Sequence, residues 1–211
     1  MDDKGEEKMG KAANSSISLK QIHVTDNFWN KYVHLVKDVI IPYQWDILND
    51  KLEDVETSHC IENFKIAAGE KEGEFQGAVF QDTDVAKWLE AVGFVLNYER
   101  DEKLEELADE TIELIGRAQQ PDGYLNTYFT IKEPDGRWSN LMEGHELYTA
   151  GHMIEAAVAY YEATGKRRFL EIVSKFADLV CQTFGSEGKN PWISGTSGNR
   201  TGTCKALPCN T

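Results

Sequence analysis

The sequence predicts an all-α fold in which helical hairpins repeat and stack. Apolar residues between positions 82 and 184 recur at helical spacing, and the two halves of this region match at a constant offset of 65 residues. Hairpins that repeat at this length usually stack face to face as a solenoid or a closed toroid of inner and outer helices. The matched positions are Leu89-Glu90-Ala91 with Ile154-Glu155-Ala156, Leu104 with Phe169, Leu107 with Ile172 and Ile115 with Val180.

The chain before the repeat is predicted in three parts. Residues 1–16 are charged and rich in small residues, so we expect a disordered arm. Residues 18–24 are expected to form a short N-terminal strand. Thr25 or Asp26 then caps a helix that carries Phe28 and Trp29, and Pro42 kinks or ends this helix.

The repeat itself begins at Asp82, where the first inner helix starts, and Asp101 begins its partner helix. A loop rich in proline and glycine follows. The second hairpin is expected at residues 145–164 and 166–184, separated by Gly165. In a toroid the starts of the inner helices point towards one mouth. We therefore expect Asp82, His145 and the loop 121–128 to share one rim.

Composition limits the kinds of ligand. The chain has 211 residues, 41% of them hydrophobic, so it can bury a core. Its net charge of -14 argues against nucleic acid or an anionic membrane as a partner and favours a neutral ligand. No apolar run approaches the roughly 18 residues of a membrane helix, and the polar start is unlike a secretory leader. A cytoplasmic location is therefore expected, with Cys60 and Cys181 as buried thiols rather than disulfides.

The segment 145–152 concentrates polar chemistry at the start of the second inner helix. His145, Tyr148, Thr149 and His152 share one helical stripe, and Glu146 lies beside it. The two histidines are roughly 10 Å apart along the axis at 1.5 Å per residue, so one zinc ion does not bind both. The stripe is interpreted as a ligand site. The alternative is a hydrogen-bonded core histidine at 152 and a packing tyrosine at 148.

Carboxylates and aromatic residues near the same rim have two interpretations each. Asp82 and Asp84 are candidates for acid/base or sugar-binding groups, or they cap and balance the dipole of the helix that they begin. Tyr124, Tyr128 and Trp138 either stack on a sugar ring or form the small core of their own long loop.

Four segments together resemble glycoside hydrolase family 127, the beta-L-arabinofuranosidases. They are Ile-Glu-Asn-Phe64, Phe80-Gln-Asp-Thr-Asp-Val-Ala-Lys-Trp-Leu-Glu-Ala91, Ala118-Gln-Gln-Pro-Asp-Gly-Tyr-Leu-Asn-Thr-Tyr128 and residues 145–152. The resemblance spans about residues 17–185. It implies part of an alpha/alpha six-barrel, followed in the family by beta domains. It also implies hydrolysis of terminal beta-L-arabinofuranosides with retention of configuration.

The resemblance further implies that the nucleophile is a cysteine thiolate on a zinc ion, in a site of three cysteines and one glutamate. It also implies that a second glutamate is the general acid/base. These groups lie in later barrel helices of the family, beyond this chain. No catalytic residue, metal ligand or cofactor is therefore expected here. The resemblance carries over His145 as a contact to a sugar hydroxyl, together with Gln44 in Pro-Tyr-Gln-Trp45.

The tail departs from the family pattern. Residues 17–190 are assigned to the barrel domain, and residues 191–211 carry no helical period. Read one base later, their codons can encode Gly-Tyr-Pro-Gly-His-Gln-Glu and a helix of the family. We therefore expect a frameshift near Lys189, which makes Cys204 and Cys209 accidents of reading frame. A genuine flexible linker is the alternative.

These observations predict the N-terminal fragment of a glycosidase that is inactive alone. Its expected ligand is an L-arabinose-containing oligosaccharide, and exposed hairpin faces are expected to cause self-association. Two alternatives stay open. The chain is a non-catalytic helical-repeat module that binds a glycan or protein, or it is another toroid hydrolase or lyase with Asp82 or Asp84 as its acid.

Overall fold

The computed structural model describes residues 17–184, and these residues form helices and loops without any strand. The all-α prediction is therefore confirmed. The expected disordered arm, the out-of-frame tail and the frameshift near Lys189 lie outside the described residues. The α-helices are α1 Asn27–Leu35, α2 Ile41–Leu48, α3 Cys60–Ala67, α4 Asp82–Tyr98, α5 Glu102–Ala118, α6 Thr127–Ile131, α7 Glu146–Thr164 and α8 Arg168–Phe184.

The strand expected at residues 18–24 is wrong. This segment contains the short 3-10 helix Leu19–Gln21, held by local bonds from the Gln21 N–H to the Ser18 carbonyl and from the Ile22 N–H to the Leu19 carbonyl. Its side chains are mostly exposed. A strand requires a neighbouring strand that pairs with its backbone, and the described residues contain no such strand. The segment contacts α4 instead, where the rings of His23 and Tyr98 meet.

The following helix begins as the sequence predicts. The Asp26 carboxylate accepts hydrogen bonds from the N–H groups of Phe28 and Trp29 and so caps α1. Pro42 does not end the helical segment. A π-helical turn at Val36–Ile40 leads directly into α2, whose first turn contains the proline. The π turn, in which the Ile41 N–H bonds to the Val36 carbonyl five residues back, accommodates the proline within the continuous helical segment.

The repeat of two hairpins is confirmed. Helices α4 and α5 form the first hairpin, and α7 and α8 form the second. The Asp101 carboxylate caps α5 by accepting from the N–H groups of Lys103 and Leu104. Gly165 ends α7 in the left-handed conformation, with a φ of 76°.

Helices α4 and α7 pack directly on each other and run parallel. The rings of Phe80, just before α4, and His145, just before α7, have centroids 5.4 Å apart. Further along both helices, Gly93 lies against the backbone of Ala159. Contacts therefore advance in the same direction along both helices, as the inner helices of a toroid require.

Apolar surface is distributed unevenly. One buried core joins both hairpins and includes Trp88, Tyr124 and Phe176. The helical segment 27–48 instead exposes large apolar side chains, which supports the expectation of self-association without testing it. They are Phe28, Trp29, Tyr32, Leu35, Val36, Val39, Ile40 and Tyr43. None of the described helices has the length and apolar character that crossing a bilayer requires.

Candidate functional site

A cleft of about 700 Å³ opens beside the first turns of α4. Three segments that are distant in the sequence form its walls: α2, the loop before α3, and α4 with the residues that precede it. Gln44 comes from α2, Ser58 from the loop and Asp84 from α4. The complete lining is Gln44, Ile47, Leu48, Glu56, Thr57, Ser58, Gly77, Ala78, Gln81, Asp84, Lys87, Trp88 and Ala91.

Polar groups in the cleft are arranged around Asp84. The Gln81 side-chain amide donates to the Asp84 carboxylate at 3.4 Å and to the Ser58 hydroxyl at 3.5 Å. The Lys87 ammonium lies 4.0 Å from the same carboxylate. Burial raises the pKa of Asp84, while Lys87 lowers it. The cleft therefore combines a balanced ion pair with amide and hydroxyl groups, which suits a neutral ligand rich in hydrogen-bonding groups.

Trp88 supports the cleft from behind. Only 2% of its surface is exposed, its ring centroid lies 4.5 Å from that of Trp45, and its indole N–H donates to the Ile41 carbonyl at 3.1 Å. These contacts fix the indole in place, so Trp88 makes the base of the cleft rigid without presenting a ring face to a ligand.

The stripe expected on α7 is present in part. The ring centroids of His145 and Tyr148 are 5.8 Å apart, and those of Tyr148 and His152 are 4.5 Å apart. Lys87 connects this row to the cleft, because its ammonium lies 5.5 Å from the centroid of the Tyr148 ring. Thr149 departs from the expectation. Its side chain is fully buried, so it does not share the exposed face of the row.

His145 is held in an unusual backbone conformation, with a φ of 52° in the left-handed region. Non-glycine residues rarely occupy this region, and such strain is concentrated at functional sites. Its Nδ1 lies 2.7 Å from the Glu143 carbonyl oxygen, which only accepts. Nδ1 is therefore protonated. When the ring is neutral, Nε2 carries a lone pair that accepts a hydrogen bond from a ligand hydroxyl.

Asp82 lies behind the cleft and faces inwards. Its carboxylate accepts from the backbone N–H of Thr127 at 2.7 Å and from the Thr127 hydroxyl. Asp82 therefore binds the first residue of α6, whose N-cap is Asn126. The expectation that Asp82 caps its own helix is wrong, since Asp82 is the first residue of α4 and Gln81 precedes it without a side-chain cap. Burial raises the pKa of Asp82 to about 6. We propose no direct ligand contact for this carboxylate.

Tyr124 and Glu146 also face inwards. The Tyr124 hydroxyl donates to the Glu146 carboxylate, which also accepts from the Trp138 N–H at 2.8 Å. The rings of Tyr124 and Trp138 meet edge to face, with centroids 5.2 Å apart. Burial raises the pKa of Glu146, and its two bonds to Tyr124 and Trp138 lower it. These residues form the core of their loop, and we propose no direct sugar contact for Tyr124 or Glu146.

Gln81, Lys87 and Ser58 are among the lining residues that were not expected from the sequence. Gln81 and Lys87 stand three residues before and after Asp84, so helical spacing predicts that they share its face. That signal was available from the sequence. Ser58 had none, because its place in the cleft depends on how the loop before α3 folds against α4.

The two cysteines among the described residues do not fit a zinc site of three cysteines and one glutamate. Cys60 is buried as expected, and its thiol donates to the Gln81 carbonyl at 3.3 Å. Burial raises its pKa to about 12, so it does not supply a thiolate at neutral pH. Cys181 is exposed on α8, which corrects the expectation of a second buried thiol. No catalytic step through zinc is therefore derived for the described residues.

Comparison with known proteins decides the family. A family model described as the beta-L-arabinofuranosidase, GH127 catalytic domain matches residues 21–206. The chain belongs to the GH127 family. A non-reducing end beta-L-arabinofuranosidase from Bifidobacterium longum subsp. longum is 41% identical over 195 residues, which cover 84% of this chain and 29% of that protein.

Solved GH127 structures agree with the fold. A beta-L-arabinofuranosidase from Geobacillus stearothermophilus matches with 62% identity and a TM-score of 0.77, covering 80% of this chain and 26% of that one. A second GH127 beta-arabinofuranosidase matches with 37% identity and a TM-score of 0.71, covering 78% and 26%. The fold is therefore part of an alpha/alpha barrel. The chain spans less than a third of the length of these relatives.

Proposed function

We propose that this GH127 chain forms one wall of a pocket for a terminal beta-L-arabinofuranosyl group. The observation that carries the proposal is the cleft beside α4, which brings Gln44, Gln81 and Asp84 together. Family membership supports the choice of sugar, since the relatives are beta-L-arabinofuranosidases. A furanosyl group is small and neutral and presents several hydroxyls, as the size and polarity of the cleft require.

Each polar side chain has a distinct part in binding. The Gln44 amide is exposed and both donates and accepts hydrogen bonds. The Asp84 carboxylate accepts from a sugar hydroxyl while Lys87 balances its charge. His145 Nε2 accepts from a further hydroxyl, and the Glu143 carbonyl fixes the ring for this purpose. Tyr148 and His152 extend the same face along α7.

Hydrolysis of the glycosidic bond, with retention, is assigned to the intact enzyme. Asp82 and Glu146 are bonded internally, so these two carboxylates are not available as nucleophile and acid. Cys60 is a poor nucleophile because burial holds it as a thiol. We therefore expect this chain to bind the sugar without cleaving it.

A hydrolysis assay with a chromogenic beta-L-arabinofuranoside tests the second part of the proposal. The purified chain is expected to release no sugar above the buffer blank. Release that persists after treatment with a metal chelator would show that this chain carries its own catalytic groups.

Calorimetry with L-arabinose tests binding. The parent chain is expected to bind, and His145→Ala is expected to weaken binding because the Nε2 acceptor is lost. His34→Ala is the matched control, since His34 lies on α1 and pairs with Asp38 instead. Equal affinities of His145→Ala and the parent chain would remove His145 from the site. Binding of a protein partner but not of sugar would favour the alternative of an interaction module.

A further inference from the structure

Three potential metal ligands converge between the two inner helices, outside the cleft. Glu90 comes from α4, and His152 and Glu155 come from α7. One ligand atom from each residue lies within 4.8 Å of the other two. His152 and Glu155 are three residues apart and so share one face of their helix. Metal sites in helical bundles are built from glutamates and histidines that project inwards from facing helices, and these three side chains offer the same types of donor.

The His152 imidazole is incompletely satisfied by its neighbours. Its Nδ1 is buried and has no hydrogen-bond partner among the described residues. The nearest carboxylate oxygen, from Glu155, lies 3.6 Å away, beyond the usual length of a hydrogen bond. A buried nitrogen without a hydrogen-bond partner is unfavourable. A cation between Nδ1 and the two carboxylates removes this deficit.

The two carboxylates also favour a bound cation. Glu90 is partly buried, and Glu155 acts on it as a like charge across the contact between α4 and α7. Two carboxylates directed at one point repel each other unless a cation lies between them. Lys87, one turn before Glu90, contacts Asp84 and Thr83 on the cleft side of α4. Burial and then the positive charge of Lys87 lower the pKa of His152, so the imidazole is favoured in the neutral form that binds a metal.

We infer that Glu90, His152 and Glu155 bind a divalent transition-metal ion such as Zn²⁺, with water as a fourth ligand. Imidazole nitrogen and carboxylate oxygen are both ligands of zinc in proteins, and zinc sites with three protein ligands hold water at the fourth position. Tetrahedral zinc with bonds of about 2.1 Å requires donor atoms about 3.4 Å apart. The Glu155 side chain is 62% exposed, so it is free to rotate and close the present separation.

The bound ion would join the two inner helices of the barrel. It differs from the zinc implied by the family resemblance, whose ligands are cysteines and a glutamate. The inference is separable from the proposed sugar site, because Glu90 and Glu155 have no part in that site and none of the three residues lines the cleft. His152 also extends the proposed sugar-binding face along α7, so Glu155→Gln is the variant whose loss of metal binding leaves the test of the sugar proposal unaffected.

Titration with metal alone tests the inference. The purified chain, freed of metal with a chelator, is titrated with Zn²⁺ in the calorimeter and with Co²⁺ in the spectrophotometer. One ion per chain is expected, with Co²⁺ absorption typical of nitrogen and oxygen ligands. His152→Gln should weaken binding at least about tenfold. His34→Gln, which alters a histidine and carboxylate pair on the surface of α1, is the control and should bind as the parent does.

A second variant distinguishes the loss of a metal ligand from misfolding of the chain. Glu155→Gln alters an exposed side chain, so the fold should persist while binding weakens by a similar factor. Saturating Zn²⁺ should raise the Tm of the parent chain and leave the Tm of Glu155→Gln nearly unchanged. Absence of stoichiometric binding, unchanged affinity in both variants, or Co²⁺ absorption typical of thiolate ligands would overturn the inference.

Discussion

Gly93 on α4 lies so close to Ala159 on α7 that a Cβ atom added to the glycine would approach the Ala159 carbonyl carbon to 2.8 Å. This approach holds the two inner helices together along their length. The inferred metal site depends on this alignment, because its three ligands come from both helices.

Substitution of Gly93 should therefore destabilise the chain. Gly93→Ala gains about 1 kcal/mol of helix propensity, but its methyl group meets backbone that cannot rotate away. We expect a net loss of about 1–3 kcal/mol in the free energy of unfolding, measured with urea. Gly116→Ala is the matched control, because its methyl group meets the side-chain ends of Arg168 and Ile172. Equal effects of the two substitutions would contradict the importance of this close approach.

The buried bond between Tyr124 and Glu146 should also contribute to stability. Tyr124→Phe leaves the Glu146 carboxylate buried with one donor fewer, and we expect a loss of about 1–3 kcal/mol. In the control Tyr128→Phe, the lost bond joins Tyr128 to the solvent-accessible Glu133, so the loss should be below about 1 kcal/mol. Urea unfolding measures the loss of stability in both variants. A larger loss in Tyr128→Phe than in Tyr124→Phe would contradict the importance of the buried bond.

Asp82 should make stability depend on pH. Burial raises its pKa from the ordinary 3.8 to about 6 in the folded chain. At pH values between 3.8 and about 6, Asp82 is therefore protonated in the folded chain and already deprotonated in the unfolded chain. The contribution of Asp82 is greatest below pH 3.8 and is lost as pH rises to about 6. The loss is on the order of 3 kcal/mol at 1.36 kcal/mol per unit of pKa.

Asp82→Asn should remove this pH dependence. Free energies of unfolding, measured at several pH values across the window, should fall with pH in the parent chain more steeply than in the variant. Asp135→Asn removes an exposed carboxylate and should keep the slope of the parent. Asp82→Asn also alters the hydrogen bonds to Thr127, which changes the free energy of unfolding by the same amount at every pH. The dependence of the free energy on pH is therefore compared, and not its absolute value. Parallel slopes for Asp82→Asn and the parent would contradict the buried, proton-binding carboxylate.

The fold was predictable where the sequence carries a repeated pattern. Leu89 and Ile154 are both buried, and the offset of 65 residues between them aligns the two hairpins correctly. Asp26 and Asp101 cap the helices they precede, because capping depends on local chemistry. Residues 18–24 were mistaken for a strand, since local pattern does not reveal whether a pairing partner exists.

The site was predictable only in part. Gln44 and Asp84 do line one cleft. Asp82, Tyr124 and Glu146 are instead bonded behind it, and sequence spacing does not distinguish the two faces of a helix start. The decisive partners are distant in the chain: Thr127 lies 45 residues from Asp82, and Tyr124 lies 22 residues from Glu146. Such pairings become visible only when the hairpins are packed.

Calorimetric titration with methyl beta-L-arabinofuranoside tests the central claim most directly. The parent chain and the control Gln76→Ala, whose exposed side chain lies outside the cleft lining, should bind with equal affinity. Gln44→Ala should bind at least about fivefold more weakly, because a hydrogen bond to the sugar typically contributes about 1 kcal/mol. Equal affinity of Gln44→Ala and the parent, or no binding by the parent chain, would contradict the assignment of this cleft to arabinofuranoside recognition.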